Sequence, residues 1–333
     1  MIFSKKHSFP KNITLDISSS CNIKCVMCSL DDNYKNKSVM SQETFDKIID
    51  VVPMLDYIDF DCNAEPFMNK NIFNFVSKVK SVSHKTKVGF PTNGTLLSKR
   101  IIENIVLSGI DIIRFSFDGS TKKTFDSIRK NADFDKVIKN IELLNEAKKK
   151  FENNNPSIVF VFVAMKKNIF ELPNLIDLAN KLNVKEICVL GLEPYSSEMS
   201  DEIIYHSDIE HYNKYFSLAK EKAVNYGINL QLPSLIPFKK KSCIFKDTLY
   251  VSAEGDVVPC PLLSYDRPFY FFGEKMRHKK LFFGNVNKNN LLSIWNSAKY
   301  YRFRKKLYEN KFHKVCDGCL MNRGLIVPFQ ESI

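Results

Sequence analysis

The sequence predicts an α/β chain: a partial, TIM-like (βα)6 barrel followed by a small C-terminal region of different character. Three observations predict it. Six short apolar, β-branched runs alternate with amphipathic stretches along the first two thirds of the chain. That alternation implies a parallel sheet with right-handed crossovers. Six units are too few for a closed eight-stranded barrel, so the sheet is expected to stay open. From about residue 235 onward the alternation gives way to a hairpin pattern and irregular aromatic sequence.

The strand runs are 13–17, 57–61, 87–90, 112–117, 158–165 and 186–192. Helical patterns fill 41–51, 72–82, 98–107, 134–150 and 170–182. The last carries Leu172, Leu175, Ile176, Leu178 and Ala179 at helical spacing. ENNNP, at 152–156, is a polar loop entering the fifth strand. Near the C-terminus, 248–252, then Ala253-Glu254-Gly255-Asp256, then Val257-Val258 reads as a β-hairpin around a glycine turn. A helix is expected over 291–308. The boundaries follow: a barrel over 10–232 and a small hairpin-plus-helix region over 235–325.

The chain has 333 residues, 44% hydrophobic, enough for one large core. No apolar run of about 18 residues exists to span a membrane. The start, MIFSKKHSFPKN, has neither a long apolar core nor a cleavage site of the secretory kind. A cytoplasmic location is expected. Net charge is +12, but the lysines and arginines are dispersed, so a solvated basic surface is expected and nucleic acid is not. Nine cysteines without a secretion signal point to metal binding rather than disulfides.

Cys21, Cys25 and Cys28 form C-x3-C-x2-C directly after the first strand. Three thiolates so close cannot all pair, and they do not match the paired knuckles of structural zinc sites. They suit a [4Fe–4S] cube with one iron left open. The triplet resembles that of the radical S-adenosylmethionine (radical SAM) superfamily, whose open iron chelates SAM. The resemblance implies further site residues at strand ends. Glu65, in Asn63-Ala64-Glu65-Pro66, stands where the family's GGE acid binds the SAM amino group, with both glycines replaced. Asn93 lies in the Thr92-Asn93-Gly94 turn that ends the third strand. Ser116 and Asp118 end the fourth strand, and Arg129 follows; a Ser and an Arg of this kind take the SAM carboxylate in relatives. Met27 stands in place of the usual aromatic near the adenine, with Leu190 and Gly191 as backbone neighbours.

A second group is Cys243, Cys260, Cys316 and Cys319. Eleven residues separate Cys243 from Gly255 and four separate Gly255 from Cys260, and the last two cysteines form C-x2-C. This resembles the SPASM/Twitch extension of radical SAM barrels, in its shorter Twitch form with one auxiliary cluster. Four thiolates saturate a [4Fe–4S] cluster; the same four can also hold zinc.

The resemblance implies an enzyme with two [4Fe–4S] clusters and SAM, supplied with electrons by a flavodoxin or ferredoxin. It abstracts a hydrogen atom from a substrate C–H bond. Two outcomes are open. One is two-electron oxidation of a hydroxylated small molecule or sugar. The other is epimerisation or crosslinking of a ribosomally made peptide. The first is favoured because the triplet begins at residue 21, leaving no room for a peptide-recognition domain ahead of the barrel. Cys62 and Cys188 fall outside both groups; Cys62, beside the Glu65 loop, is a candidate hydrogen-atom donor. A non-catalytic iron–sulfur or zinc protein is the remote alternative.

Overall fold

Eight parallel strands make up most of one sheet. The computed structural model describes residues 9–29, 38–61, 64–206, 208–240 and 242–326. In chain order the strands are β1 (Asn12–Leu15), β2 (Tyr57–Asp59), β3 (Lys87–Thr92), β4 (Ile112–Ser116), β5 (Ser157–Ala164), β6 (Glu186–Gly191), β7 (Asn229–Gln231) and β8 (Thr248–Val251). They are followed by β9 (Asp256–Val258), β10 (Arg267–Phe271), β11 (Glu274–His278) and β12 (Gly284–Asn285). The sheet order is β12-β9-β8-β1-β2-β3-β4-β5-β6-β7, with β9 and β12 antiparallel at one end. β10 and β11 form a separate hairpin.

Alternation along the strands divides their side chains between two environments. Ile13, Leu15, Ile58, Val88, Phe90, Ile113 and Phe115 are fully buried in the main hydrophobic core. Their in-between neighbours are largely polar: Thr14, Tyr57, Asp59, Arg114 and Ser116. A barrel lumen is ordinarily filled by layers of Val, Ile and Leu. Here the lumen keeps polar groups, and this sets up the site.

The six expected strands and most helices are present. α1 (Gln42–Asp46) is shorter than the 41–51 pattern; the chain tightens into a 3-10 turn over Ile49–Met54, which contains Pro53. α2 (Ile72–Val82), α3 (Lys99–Leu107), α4 (Lys122–Ile128), α5 (Phe134–Lys150) and α6 (Leu172–Lys181) cover the strands. α3 and α5 are capped by Ser98 and Asp133, whose side chains accept from backbone N–H groups of the first turn. The long α7 (Ile209–Tyr226) and strand β7 add a unit beyond the six. The 291–308 helix is two helices, α8 (Leu291–Trp295) and α9 (Ala298–Tyr308), separated where Ser297 caps the second.

The C-terminal hairpin differs most from expectation. Its first strand, β8, pairs in parallel with β1 in the register Asn12↔Thr248 to Leu15↔Val251. The hairpin thus continues the main sheet. Gly255 makes its turn at φ +89°, and a Cβ there would stand 2.8 Å from Asn287 Nδ2.

Candidate active site

Cys21, Cys25 and Cys28 lie on the loop that leaves the C-terminal end of β1. The loop is held at two points. Cys25 pairs with Arg129 in a two-residue antiparallel ladder, and the N–H of Glu65 donates to the Ser20 carbonyl at 3.0 Å. Two side chains donate to the sulfurs: Arg129 Nη1 to Cys25 Sγ at 3.5 Å and Asn93 Nδ2 to Cys21 Sγ at 3.7 Å. Burial pushes the free Cys25 thiol up to about 12, with Arg129 opposing. Deprotonation therefore needs a stronger counter-charge, such as a bound metal would supply.

Glu65 is fully buried. Its carboxylate accepts from the Asn93 N–H at 2.7 Å, from Thr92 Oγ1 at 2.9 Å and from the Phe67 N–H at 3.4 Å. Burial nevertheless lifts it to about 7. A buried acid at that value is poised to ionise against an incoming cation. Asn93 is the joint of this corner, since its backbone meets Glu65 and its side chain meets Asn22 and Cys21.

Arg129 Nη2 pairs with Asp118 Oδ2 at 2.6 Å, and Asp118 Oδ1 accepts from the Val163 N–H at 2.7 Å. Arg129 Nε has no partner among the described residues. Met27 opens on a cavity of about 290 Å³ beside the triplet, together with Met165, Leu192, Met199 and Ser196. The expectation named only Met27 there. Ser116 and Leu190 line a different cavity, inside the barrel. Gly191 is taken up by packing: a Cβ there would stand 2.1 Å from the Leu325 carbonyl oxygen.

The second cysteine group comes from three segments. Cys243 precedes β8, Cys260 follows β9, and Cys316 and Cys319 lie on a turn closed by the Cys319 N–H to the Cys316 carbonyl at 3.2 Å. Among the described residues no three His, Cys, Asp or Glu side chains stand at the spacing of one bound ion. The thiols nonetheless act on one another: burial first, then Cys243, Cys319 and Cys316, push the Cys260 thiol far up. Four neighbouring sulfurs, one buried and three half-buried, that would repel one another as thiolates fit a cluster that takes all four.

The interior cavity, about 190 Å³, lies between the barrel strands and the neighbourhood of the second cysteine group. Its barrel side carries Thr14, Asp59, Asp61, Arg114 and Ser116, with Val161 and Leu190 as apolar wall. Its other side is made by Phe245, Pro261 and Met321, each within two residues of Cys243, Cys260 or Cys319. Cys188, fully buried, also lines it. Cys62 lies outside the described residues.

One polar group escaped sequence reading. Glu193, just past β6, meets His278 Nε2 of β11 at 3.0 Å and accepts from Tyr195 Oη. Arg267 of β10 lies over the Tyr195 ring at 4.8 Å. Burial alone would raise Glu193, but His278, Arg267 and Tyr195 outweigh it and hold it below its ordinary value. The partners are 85 residues apart in sequence, and no spacing signal links them.

Comparison with known proteins places these features in a family. The Radical SAM superfamily model matches residues 15–179, and the model described as an iron–sulfur cluster-binding domain, SPASM, matches 243–320. The chain is 27% identical over 321 residues to a tungsten-containing aldehyde ferredoxin oxidoreductase cofactor-modifying protein of Pyrococcus furiosus, covering 93% of this chain and 87% of that one. It is 26% identical to the antilisterial bacteriocin subtilosin biosynthesis protein AlbA of Bacillus subtilis, covering 97% and 69%. Its fold matches the crystal structure of Streptococcus suis SuiB bound to precursor peptide SuiA, with TM-score 0.68 at 18% identity, covering 96% of this chain and 70% of that chain. The cysteine triplet at the end of β1 and the four-cysteine region beyond residue 240 each fall inside a matching model, and the chain belongs to the radical SAM superfamily, with a C-terminal SPASM domain.

Proposed function

We propose that this radical SAM enzyme is an oxidoreductase that carries out a two-electron oxidation of a hydroxylated small molecule held in the interior cavity. One observation carries the reading: the cavity is walled on one side by polar residues of the barrel strands and on the other by neighbours of the second cysteine group. A substrate there touches the barrel strands and the auxiliary region at once. In this reading the barrel spans 10–232 and the auxiliary region 235–325.

Seven thiols would hold two clusters, Cys21, Cys25 and Cys28 one, and Cys243, Cys260, Cys316 and Cys319 the other. When bound, SAM and the reduced first cluster supply a 5′-deoxyadenosyl radical, and the second cluster supplies an electron acceptor. The chain's residues bind and orient. Glu65 takes the SAM ammonium. Arg129, through its free Nε, takes the SAM carboxylate while Asp118 fixes its plane. Ser116 faces the substrate cavity in this structure, so its proposed SAM contact is the weakest geometrically. Met27 covers the adenine, while Leu190 faces the interior cavity and Gly191 packs on Leu325, and Asn93 steadies both Glu65 and Cys21. A flavodoxin or ferredoxin delivers the electron, and a cytoplasmic setting suits oxygen-sensitive clusters.

Oxidation at a hydroxyl-bearing carbon removes a hydrogen atom, a proton and an electron, so the product is lighter by two hydrogens. A second reading, modification of a ribosomally made peptide, is favoured by similarity to the subtilosin biosynthesis protein. In its epimerising form a thiol, Cys62, returns a hydrogen atom. Turnover in heavy water separates the two. The oxidation reading expects loss of two mass units and no deuterium at carbon. One deuterium at carbon, abolished by Cys62→Ala, overturns it.

A further inference from the structure

The interior cavity has an excess of acid. Asp59 and Asp61 line it, and Asp16 stands close enough to act on Asp61 electrostatically. Against them, among the described residues, the cavity has one cation, Arg114, which is already engaged: Nη2 lies 2.6 Å from Asp59 Oδ1, and Nη1 donates to Tyr57 Oη at 2.9 Å. Asp16 is satisfied in part by Tyr265 Oη at 2.8 Å. Among the described residues the Asp61 carboxylate and Asp59 Oδ2 have no hydrogen-bond partner, and neither has Thr14 Oγ1, whose residue is only 4% exposed. These unmatched oxygens share one chamber.

We propose that the substrate carries a positively charged amino group, seated between Asp61 and Asp59 with Thr14 Oγ1 as a further acceptor. This rests on the reading of the cavity as the substrate chamber. A buried carboxylate without a counter-ion is costly, and a like-charged ligand would add to that cost. An ammonium supplies the missing positive charge and three donors, matching the open oxygens. Burial, then Asp59, push Asp61 up to about 7, with the Arg114 guanidinium opposing only in part. Val161, Leu190 and Met321 give the carbon skeleton an apolar wall, and Ser116 gives a hydroxyl contact. The selection is local, because the chain as a whole is strongly basic, at +12.

The test uses three sugars of matched size: glucosamine, glucose and glucuronate. Each is titrated into anaerobic, cluster-loaded enzyme with SAM bound, and its dissociation constant is read by saturation-transfer NMR. Glucosamine should bind at least about tenfold more tightly than glucose, as a buried charge-assisted contact implies, and glucuronate should bind more weakly than either. Asp61→Asn should bring glucosamine down to the level of glucose. Equal binding of glucosamine and glucose, tighter binding of glucuronate, no binding of glucosamine, or glucosamine binding untouched by Asp61→Asn overturns the proposal. Binding requires no turnover. A failed oxidation reading, seen as deuterium at carbon, therefore leaves this result independent, and the converse also holds.

Discussion

Arg129 Nη2 stands 2.6 Å from Asp118 Oδ2, so the guanidinium that reaches Cys25 Sγ is anchored on a carboxylate with no exposure to solvent. Removing the cation leaves Asp118 buried and unpaired. Arg129→Met should cost roughly 3–5 kcal/mol of unfolding free energy, read by urea denaturation. Arg129→Lys should recover part of it, lacking the fork that reaches two partners. Equal stability of the Met variant and wild type would show the pair to be dispensable.

Iron content should follow the two cysteine groups. Reconstituted enzyme should hold about 8 Fe, and the Cys21, Cys25 and Cys28 triple Ala variant about 4 Fe. That variant should make no 5′-deoxyadenosine under reduction. Residual cleavage at the wild-type rate would reassign the triplet.

Glu65→Gln keeps the shape of the corner but removes its charge. The charge-assisted contact to an ammonium is worth about 1.5–3 kcal/mol, so SAM affinity should fall by roughly tenfold to a hundredfold. Iron content should stay at the wild-type level. An unchanged affinity in an equilibrium titration would place Glu65 outside the SAM pocket.

Stability should fall as pH rises through neutrality. Asp16, Asp61 and Glu65 are each raised by burial to about 7 from ordinary values of 3.8, 3.8 and 4.5. A folded state that holds protons the unfolded chain has released gains stability at low pH. That gain is full below the unfolded values and is lost as pH climbs through about 7. The thermal midpoint should therefore drop between about pH 5 and about pH 8, and Asp61→Asn should flatten the drop by a few degrees. A midpoint that rises over this window, with or without Asp61→Asn, would contradict these buried acids.

Gly191→Ala puts a methyl group 2.1 Å from the Leu325 carbonyl oxygen, a backbone atom that cannot rotate away. The cost should be about 1–3 kcal/mol. Protease cleavage near residue 325 should speed up, since that segment must shift. Wild-type stability with an unchanged cleavage rate would mean the segment moves freely.

What the sequence made legible follows a physical line. The parallel strands stand out by the row of apolar side chains that packs under the helices, while the row that faces the lumen is largely polar. The cysteine groups were visible because ligand spacing is a local property. β7 was not visible: Asn-Leu-Gln is too short and too polar to stand out. α7 buries Tyr212, Phe216, Ala219 and Ala223, a true helical stripe diluted by small and amphipathic residues. Ser116 was expected at the SAM carboxylate, yet alternation along β4 puts it on the lumen side with Arg114. The Glu193–His278 contact and the acid excess around Asp61 depend on strands far apart in sequence, so no local pattern announces them.

The pairing of β8 with β1 has a consequence for how the chain can be cut. β1 is four residues long and carries the triplet at its end, and β8 supplies one of its two flanking partners. A fragment ending near residue 240 would expose the free N–H and C=O groups of β1 along an apolar margin, which invites association between chains. Such a fragment should precipitate instead of yielding an isolated barrel. The register of the Cys21 loop is, in this sense, templated by the strand that follows Cys243.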